Sequence, residues 1–166
     1  MMVDDPYDYA DVIAPYSDYY MFHAEATSDP VRTIQKIRKN WPNVKVGLYF
    51  NLSTDILQYK DILSLIDCIG LMGISPGVLG TSSYYEIVSR KIDSYRLEKA
   101  TNFHQDWPEF IFIDGSVNFS TIPNYLHRLY GGITPMTFVC GSSSIMNNLK
   151  ETTIEENIKK IENSIL

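Results

Sequence analysis

The alternation of two kinds of segment constrains the fold of this chain more than any other feature. Short apolar runs rich in β-branched and aromatic residues alternate with longer segments of helical spacing. The repeat of roughly 25–30 residues is the size of a βα unit. Most runs are apolar at consecutive positions, which is typical of parallel strands covered by helices. The predicted strands cover residues 19–24, 45–50, 67–74, 110–113 and 136–140, with a short sixth strand at 1–3.

Helical spacing between these runs predicts six helices. The second helix has the clearest beginning, because an N-cap residue, Asp29, precedes Pro30, and apolar residues then recur every three positions. The predicted helices cover residues 6–13, 30–40, 54–64, 82–99, 121–130 and 153–165. No linker or low-complexity tract interrupts the series, so residues 1–166 are predicted to form a single domain. Repeated βα units allow an open doubly wound sheet or a closed (β/α)₈ barrel, and periodicity leaves that choice open.

Composition restricts the partners and the compartment. The formal net charge is −6 and the largest basic run is residues 36–39, so no stripe of positive charge is available for nucleic acid. A phosphate group would have to be bound by backbone N–H groups. No apolar stretch approaches the roughly 18 residues of a membrane span. Cys68 and Cys140 lie in apolar runs and are predicted to be buried free thiols, so we expect a cytoplasmic protein.

The residues that follow each strand are the candidates for chemistry, because both architectures bind ligands beyond the carboxyl ends of their strands. His23 and Glu25 are predicted to share one strand face, either as a hydrogen-bonded pair at the rim or in contact with substrate. Asn51 is predicted to cap the segment that follows it. Asp114 ends an apolar run, where a carboxylate can serve as an acid or base, ligate a cation or cap the next loop.

Two glycine-containing loops are candidates for anion binding. Glycines recur three to four positions apart at Gly73, Gly77 and Gly80, and such residues let backbone N–H groups turn toward an anion. The alternative interpretation is a simple strand-to-helix turn. Gly141 and Ser142 follow the last predicted strand and could present N–H groups and a hydroxyl to a phosphate.

Six short segments, taken in order, resemble the ribulose-phosphate 3-epimerase family along essentially the whole chain. The segments are residues 1–3 with Pro6, residues 22–27, residues 45–48, Met72 with Pro76, Gly77 and Gly80, residues 113–115 and residues 139–142. The resemblance implies a (β/α)₈ TIM barrel of the ribulose-phosphate-binding type. It also implies that the chain lacks the first two βα units of that barrel.

The resemblance further implies an isomerase of the pentose phosphate pathway that interconverts ribulose 5-phosphate and xylulose 5-phosphate at C3. In the family, two aspartates exchange the proton and a divalent metal (Zn, Fe or Mn) stabilises the enediolate. Asp114 corresponds to one aspartate and metal ligand, and Met2 and Met72 correspond to methionines that pack against the reacting atoms. The implied phosphate site consists of Gly77, Val78, Leu79, Gly80, Gly115, Ser116, Gly141 and Ser142.

Departures from the family pattern define the alternatives. The segment that would carry the partner aspartate and the histidine ligands has no counterpart here, so Asp114 alone remains of four expected ligands and metal binding is expected to be weak or absent. Activity in this chain is therefore an open question. The alternatives are a non-catalytic phosphosugar-binding paralogue or an enzyme similar to allulose-6-phosphate 3-epimerases. The open sheet edges predict a homo-oligomer or aggregation.

Overall fold

The computed structural model describes residues 1–75, 84–128, 135–141, 144–146 and 148–165. Its centre is one five-stranded sheet, all parallel, in which the strands lie side by side in chain order. This order confirms the series of βα units, because each crossover returns the chain to the next position in the sheet. The strands are β1 Tyr19–His23, β2 Lys45–Phe50, β3 Cys68–Met72, β4 Phe110–Asp114 and β5 Met136–Val139.

The described residues also form five α-helices and three 3₁₀ segments, which precede, connect or follow the strands. Helix α2 begins as predicted, with Pro30 in its first turn and the Asp29 carboxylate accepting the Arg32 N–H at 3.0 Å. The predicted helix at 54–64 is instead a 3₁₀ segment, with bonds from residue i+3 to i such as Gln58 N–H to the Asp55 carbonyl. The helices are α1 Pro6–Ile13, α2 Pro30–Asn40, α3 Tyr85–Thr101, α4 Ile122–Arg128 and α5 Ile154–Ile165; the 3₁₀ segments are Ala14–Tyr16, Ala24–Ala26 and Ile56–Leu65.

The predicted strand at residues 1–3 is wrong. These residues form no strand, and the contact to β1 is a single hydrogen bond from the Met1 nitrogen to the Met21 carbonyl at 2.6 Å. Asp5 already caps α1, which begins at Pro6, so too few residues remain for a ladder.

In the part of the chain that the structure describes, the helices pack against one face of the sheet. Strand side chains such as Phe22, Leu48 and Ile113 form the main core with helical residues such as Ile34 and Ile92. The opposite face, which we term the interior face, carries a second buried cluster that contains only strand residues in the part of the chain described. Its members are Met21, Tyr49, Cys68 and Met72, flanked by Ile74, Phe110 and Phe112.

The sheet curls around the interior face. The rings of Tyr19 in β1 and Phe112 in β4 lie 5.5 Å apart, although two strands separate them. In a flat sheet with a strand spacing of about 4.8 Å, their strands would be roughly 14 Å apart. A curled parallel sheet with helices on its convex side is part of a (β/α) barrel, whereas a doubly wound sheet carries helices on both faces. The predicted α/β barrel class is thereby confirmed.

Two further predictions concern the cysteines and the membrane. Cys68 and Cys140 are both free thiols; Cys68 is fully buried, whereas Cys140 is only partly buried. Among the helices described, none combines the length and apolarity that a membrane span requires.

Candidate functional site

Four side chains lie on the interior face at the carboxyl ends of the strands. The sequence predicts three of them as site residues, His23, Met72 and Asp114, and does not predict the fourth, Tyr49. Met72 lies opposite Asp114 in the β3–β4 ladder, and His23 lies opposite Tyr49 in the β1–β2 ladder. The His23 and Tyr49 rings stack with their centroids 5.6 Å apart. Tyr49 leans across Gly70, where a Cβ atom would come within 2.4 Å of the tyrosine ring. A side chain at position 70 would therefore push Tyr49 off this face.

Asp114 is a carboxyl group with raised proton affinity at this end of the sheet. Burial raises its pKa above the usual range, against the opposing effects of the Gly115 N–H and the nearby His23 imidazole. A partly desolvated carboxyl with a raised pKa can accept and return protons closer to neutral pH than an exposed one. The acid/base role of Asp114 stays a prediction, and its burial at the end of β4 is the feature on which that prediction depends.

A tight left-handed turn follows Asp114. Gly115 has φ +97° and Ser116 has φ +53°. The Gly73 N–H donates to the Asp114 carbonyl, and a Cβ atom on Gly73 would lie 2.5 Å from the Gly115 carbonyl oxygen. Absence of a side chain at Gly73 therefore allows the ends of β3 and β4 to meet.

Ser116 carries an unpaired hydroxyl in this turn. Its Oγ is buried and has no hydrogen-bond partner among the residues described. The Ser116 carbonyl is occupied, because it accepts from Thr121 Oγ1 at 2.9 Å. The turn thus leaves a hydroxyl donor free at the carboxyl end of β4.

Gly141 lies at the same end of the sheet. Asp114 pairs with Val139, so Gly141, two residues beyond Val139, follows β5 much as Gly115 follows β4. A Cβ atom on Gly141 would meet nothing within 4 Å. Three of the predicted phosphate-binding residues, Gly115, Ser116 and Gly141, are therefore placed at one end of adjacent strands. The other five, Gly77, Val78, Leu79, Gly80 and Ser142, lie outside the residues described.

The two predicted methionines differ in exposure. Met72 is buried on the interior face next to Asp114, whereas the residue Met2 is 55% exposed. Met2 instead lines a cavity of about 470 Å³ at the ends of β1 and β2, which we term the β1–β2 cavity. Its walls consist of Met2, Val3, Asp4, His23, Glu25, Ala26 and Asn51.

His23 and Glu25 do not share a strand face as predicted. β1 ends at His23, and Glu25 lies in the 3₁₀ segment Ala24–Ala26. Their closest atoms, Nδ1 and Oε2, are 3.7 Å apart, which is beyond hydrogen-bond length. Glu25 Oε1 accepts the Asn51 N–H at 2.9 Å instead. The Glu25 carboxylate thus joins the ends of β1 and β2.

Glu25 is held as a carboxylate. Burial by itself would raise its pKa, but His23, the Thr54 hydroxyl and the backbone N–H groups of Asn51 and Glu25 outweigh it and lower the pKa to about 2. Hydrogen bonds to an ionised carboxylate favour that form. The β1–β2 cavity therefore has a fixed negative charge at neutral pH.

Lys91 is a positioning residue that sequence reasoning missed. Its Nζ donates to the Asn51 carbonyl and to the Thr54 carbonyl, the second at 2.6 Å. Burial lowers the pKa of the Lys91 amine, against the attraction of Glu25 and Asp55. The prediction that the Asn51 side chain caps the next segment is wrong, because Asp55 caps the 3₁₀ segment Ile56–Leu65 and Asn51 Oδ1 has no hydrogen-bond partner among the residues described. The Asn51 carbonyl instead connects this loop to α3. Lys91 lies 40 residues from Asn51 and belongs to no local motif.

The residues described do not by themselves form a divalent-metal site. No three His, Cys, Asp or Glu side chains among them converge on one point. Asp114 is the only ligand predicted within this chain, and one carboxylate is fewer than the three or more protein ligands usual for zinc.

Comparison with known proteins identifies relatives of the chain. Residues 1–132 match the model of the family described as "Ribulose-phosphate 3 epimerase family". A ribulose-phosphate 3-epimerase of Mycobacterium leprae is 30% identical over 123 residues, covering 74% of this chain and 52% of that protein. The ribulose-phosphate 3-epimerase of Treponema pallidum is 27% identical over 129 residues, which cover 76% of this chain and 56% of that protein. That of Buchnera aphidicola is 31% identical over 144 residues, which cover 87% of this chain and 58% of that protein. The chain spans about half the length of the curated relatives it matches.

Proposed function

Because the chain belongs to the ribulose-phosphate 3-epimerase family, we propose that it carries the phosphate-binding end and one acid/base group of a ketose-phosphate 3-epimerase site. The substrate pair is ribulose 5-phosphate and xylulose 5-phosphate, by analogy with the names of its relatives. The observation that carries the proposal is Asp114, a carboxyl with a raised pKa that is followed at once by a turn with a free buried hydroxyl.

The chemistry requires transfer of the proton at C3, which is adjacent to the C2 carbonyl of the ketose. The Asp114 carboxylate accepts this proton on one face, and the electron pair moves into an enediolate. Epimerisation is complete when a second group returns a proton to the opposite face. Met72 supplies an apolar wall beside Asp114, which favours a desolvated carboxyl.

Phosphate binding relies on the backbone rather than on cations. Gly115, Ser116 and Gly141 lie at the ends of adjacent strands, and the Ser116 hydroxyl is an additional donor. N–H groups in turns bind anions without basic side chains. This arrangement is compatible with a chain whose formal net charge is −6.

Calorimetric titration with ribulose 5-phosphate and with unphosphorylated ribulose tests the binding half of the proposal. We expect the phosphorylated sugar to bind at least tenfold more tightly. Gly141→Asp should abolish this preference by placing a carboxylate near the phosphate, and Gly141→Asn is the matched neutral control. Both side chains fit, because nothing lies within 4 Å of the Cβ position. Equal affinity for the two sugars would contradict the proposal.

Proton transfer is tested separately by NMR of ribulose 5-phosphate in D₂O, with and without Zn²⁺, Fe²⁺ or Mn²⁺. We expect deuterium to enter C3 slowly in the presence of the chain and not with Asp114→Asn. Xylulose 5-phosphate should not accumulate, because one carboxylate cannot serve both faces of C3. Binding without any exchange would favour the second candidate function, a phosphosugar-binding protein that performs no turnover.

A further inference from the structure

The β1–β2 cavity is used by neither the phosphate site nor the proton transfer. It lies at the carboxyl ends of β1 and β2, whereas Gly115 and Gly141 follow β4 and β5. The curl of the sheet brings the two ends toward each other, because Tyr19 in β1 and Phe112 in β4 are in contact across the interior face and His23 and Asp114 end the same two strands. A molecule that extends from the phosphate site past Asp114 is therefore directed toward this cavity.

Two side chains in the cavity wall have unsatisfied polar atoms. His23 Nδ1 and Asn51 Oδ1 are both buried, and neither has a hydrogen-bond partner in the part of the chain described. His23 as a whole is 7% exposed. A buried polar atom without a partner costs about 1–3 kcal/mol, so such atoms usually serve an interaction with something else. The terminal χ2 torsion of a histidine or asparagine side chain has a broad, roughly two-fold energy profile. The His23 ring and the Asn51 amide can therefore rotate toward a ligand at small energetic cost.

The charge of the wall selects the kind of ligand. Asp4 and Glu25 are the charged residues that line the cavity, and Glu25 is a carboxylate at neutral pH. The nearby Lys91 amine is already bound to two carbonyl groups. A phosphate would be repelled by the carboxylates. Hydroxyl groups, which both donate and accept hydrogen bonds, match the carboxylates, the imidazole and the amide.

We propose that the β1–β2 cavity binds hydroxyl groups of the sugar at the end remote from its phosphate, with His23 and Asn51 as hydrogen-bonding partners. The proposal rests on the proposed function, because it requires a phosphosugar anchored at Gly115, Ser116 and Gly141. It fixes the direction of the sugar in the site. Its carbon chain runs from the ends of β4 and β5, past Asp114, to the ends of β1 and β2.

Calorimetric titration of His23→Phe and Asn51→Leu with ribulose 5-phosphate and with inorganic phosphate tests this direction. Each substitution should weaken ribulose 5-phosphate binding about tenfold, equivalent to about 1.4 kcal/mol, and change phosphate binding less than twofold. Asn40→Leu, at the exposed end of α2, is the control for an added apolar side chain. Circular dichroism checks that each variant is folded.

A second readout does not depend on affinity. The ring signals of His23 should shift in NMR spectra on addition of ribulose 5-phosphate and should stay in place with inorganic phosphate. Unchanged ribulose 5-phosphate affinity in both variants, or equal losses for the sugar phosphate and phosphate, would overturn the inference while leaving the proposed function intact. A wild-type chain that binds neither ligand would overturn both.

Discussion

Burial of Asp114 favours the proposed proton transfer and lowers the stability of the folded chain. The partly desolvated carboxyl binds its proton more tightly than in the unfolded chain, which suits proton transfer. The same preference means that ionisation of Asp114 at neutral pH destabilises the folded state. A side chain retained at such a cost is typical of a functional site.

Asp114→Asn should therefore raise the free energy of unfolding at pH 7. The folded pKa lies above the unfolded value of 3.8, so the penalty in the wild type grows as pH rises from 3.8 through the folded pKa. Urea unfolding at pH 3 and pH 7 measures the effect. The advantage of the variant should be present at pH 7 and much smaller at pH 3. A variant that is less stable at pH 7 would show that burial does not control this carboxyl.

Glu25→Gln should have the opposite effect. The pKa of Glu25 is lowered to about 2, so its ionised form stabilises the folded state above the unfolded value of 4.5. This contribution is lost as pH falls from about 4.5 through 2. The variant should be less stable than the wild type at pH 7 in the same urea experiment, and the two should converge toward pH 2. A difference that is constant with pH would contradict the assignment.

At the scale of elements, one lysine connects a helix to the site. Lys91 on α3 binds two carbonyl groups in the loop after β2, and Asn51 in that loop donates its N–H to Glu25 beyond β1. These hydrogen bonds to the loop link three elements that also pack together in the main core. The 3₁₀ segment Ile56–Leu65 follows this loop directly. The bonds from Lys91 on α3 therefore also hold the start of the connection between β2 and β3.

Lys91→Met should loosen this loop. The substitution keeps the apolar stem but leaves the carbonyl groups of Asn51 and Thr54 without their donor, at a cost of about 1–3 kcal/mol. Hydrogen exchange measured by mass spectrometry should become faster in residues 51–55. Arg90→Met is the matched control, because the Arg90 side chain is 75% exposed and pairs only with Glu86 among the described salt bridges. Equal protection in both variants would show that Lys91 does not position the loop.

At the scale of the whole molecule, the interior face and the sheet edges are the surfaces where we expect association. Among the residues described, β1 pairs only with β2, and β5 pairs only with β4. Each therefore presents an edge with unpaired backbone groups, and such edges recruit further strands. Tyr19, on the β1 edge, is 44% exposed and contacts Phe112 across the interior face.

These 166 residues expressed alone should self-associate at micromolar concentration, as size-exclusion chromatography with light scattering would show. Tyr19→Lys should reduce association, because a charged side chain on an edge strand disfavours pairing with another chain. Tyr16→Lys is the control, since Tyr16 is 90% exposed and lies in the 3₁₀ segment before the sheet. A cooperatively unfolding wild-type monomer would show that the edges are already protected.

Local patterns in the sequence were sufficient to predict most of the strands and helices and the family. All five central strands and helix α2 follow from apolar runs, an N-cap and a proline, which act within a few residues. The 3₁₀ form of Ile56–Leu65 and the lack of a strand at residues 1–3 did not follow. Short segments have weak local preferences, and their form depends on what surrounds them.

Only the tertiary structure showed the contacts by which the sheet curls and the bonds that join the parts of the site. The contact between Tyr19 and Phe112, the one-sided packing of the helices and the bonds from Lys91 to the loop all join residues far apart in the chain. The sequence by itself determined which residues follow each strand, because alternation along the chain encodes strands and helices locally. Which of these residues meet depends on sheet curvature and register, since these arise from packing between distant elements and leave no periodic signal in the sequence.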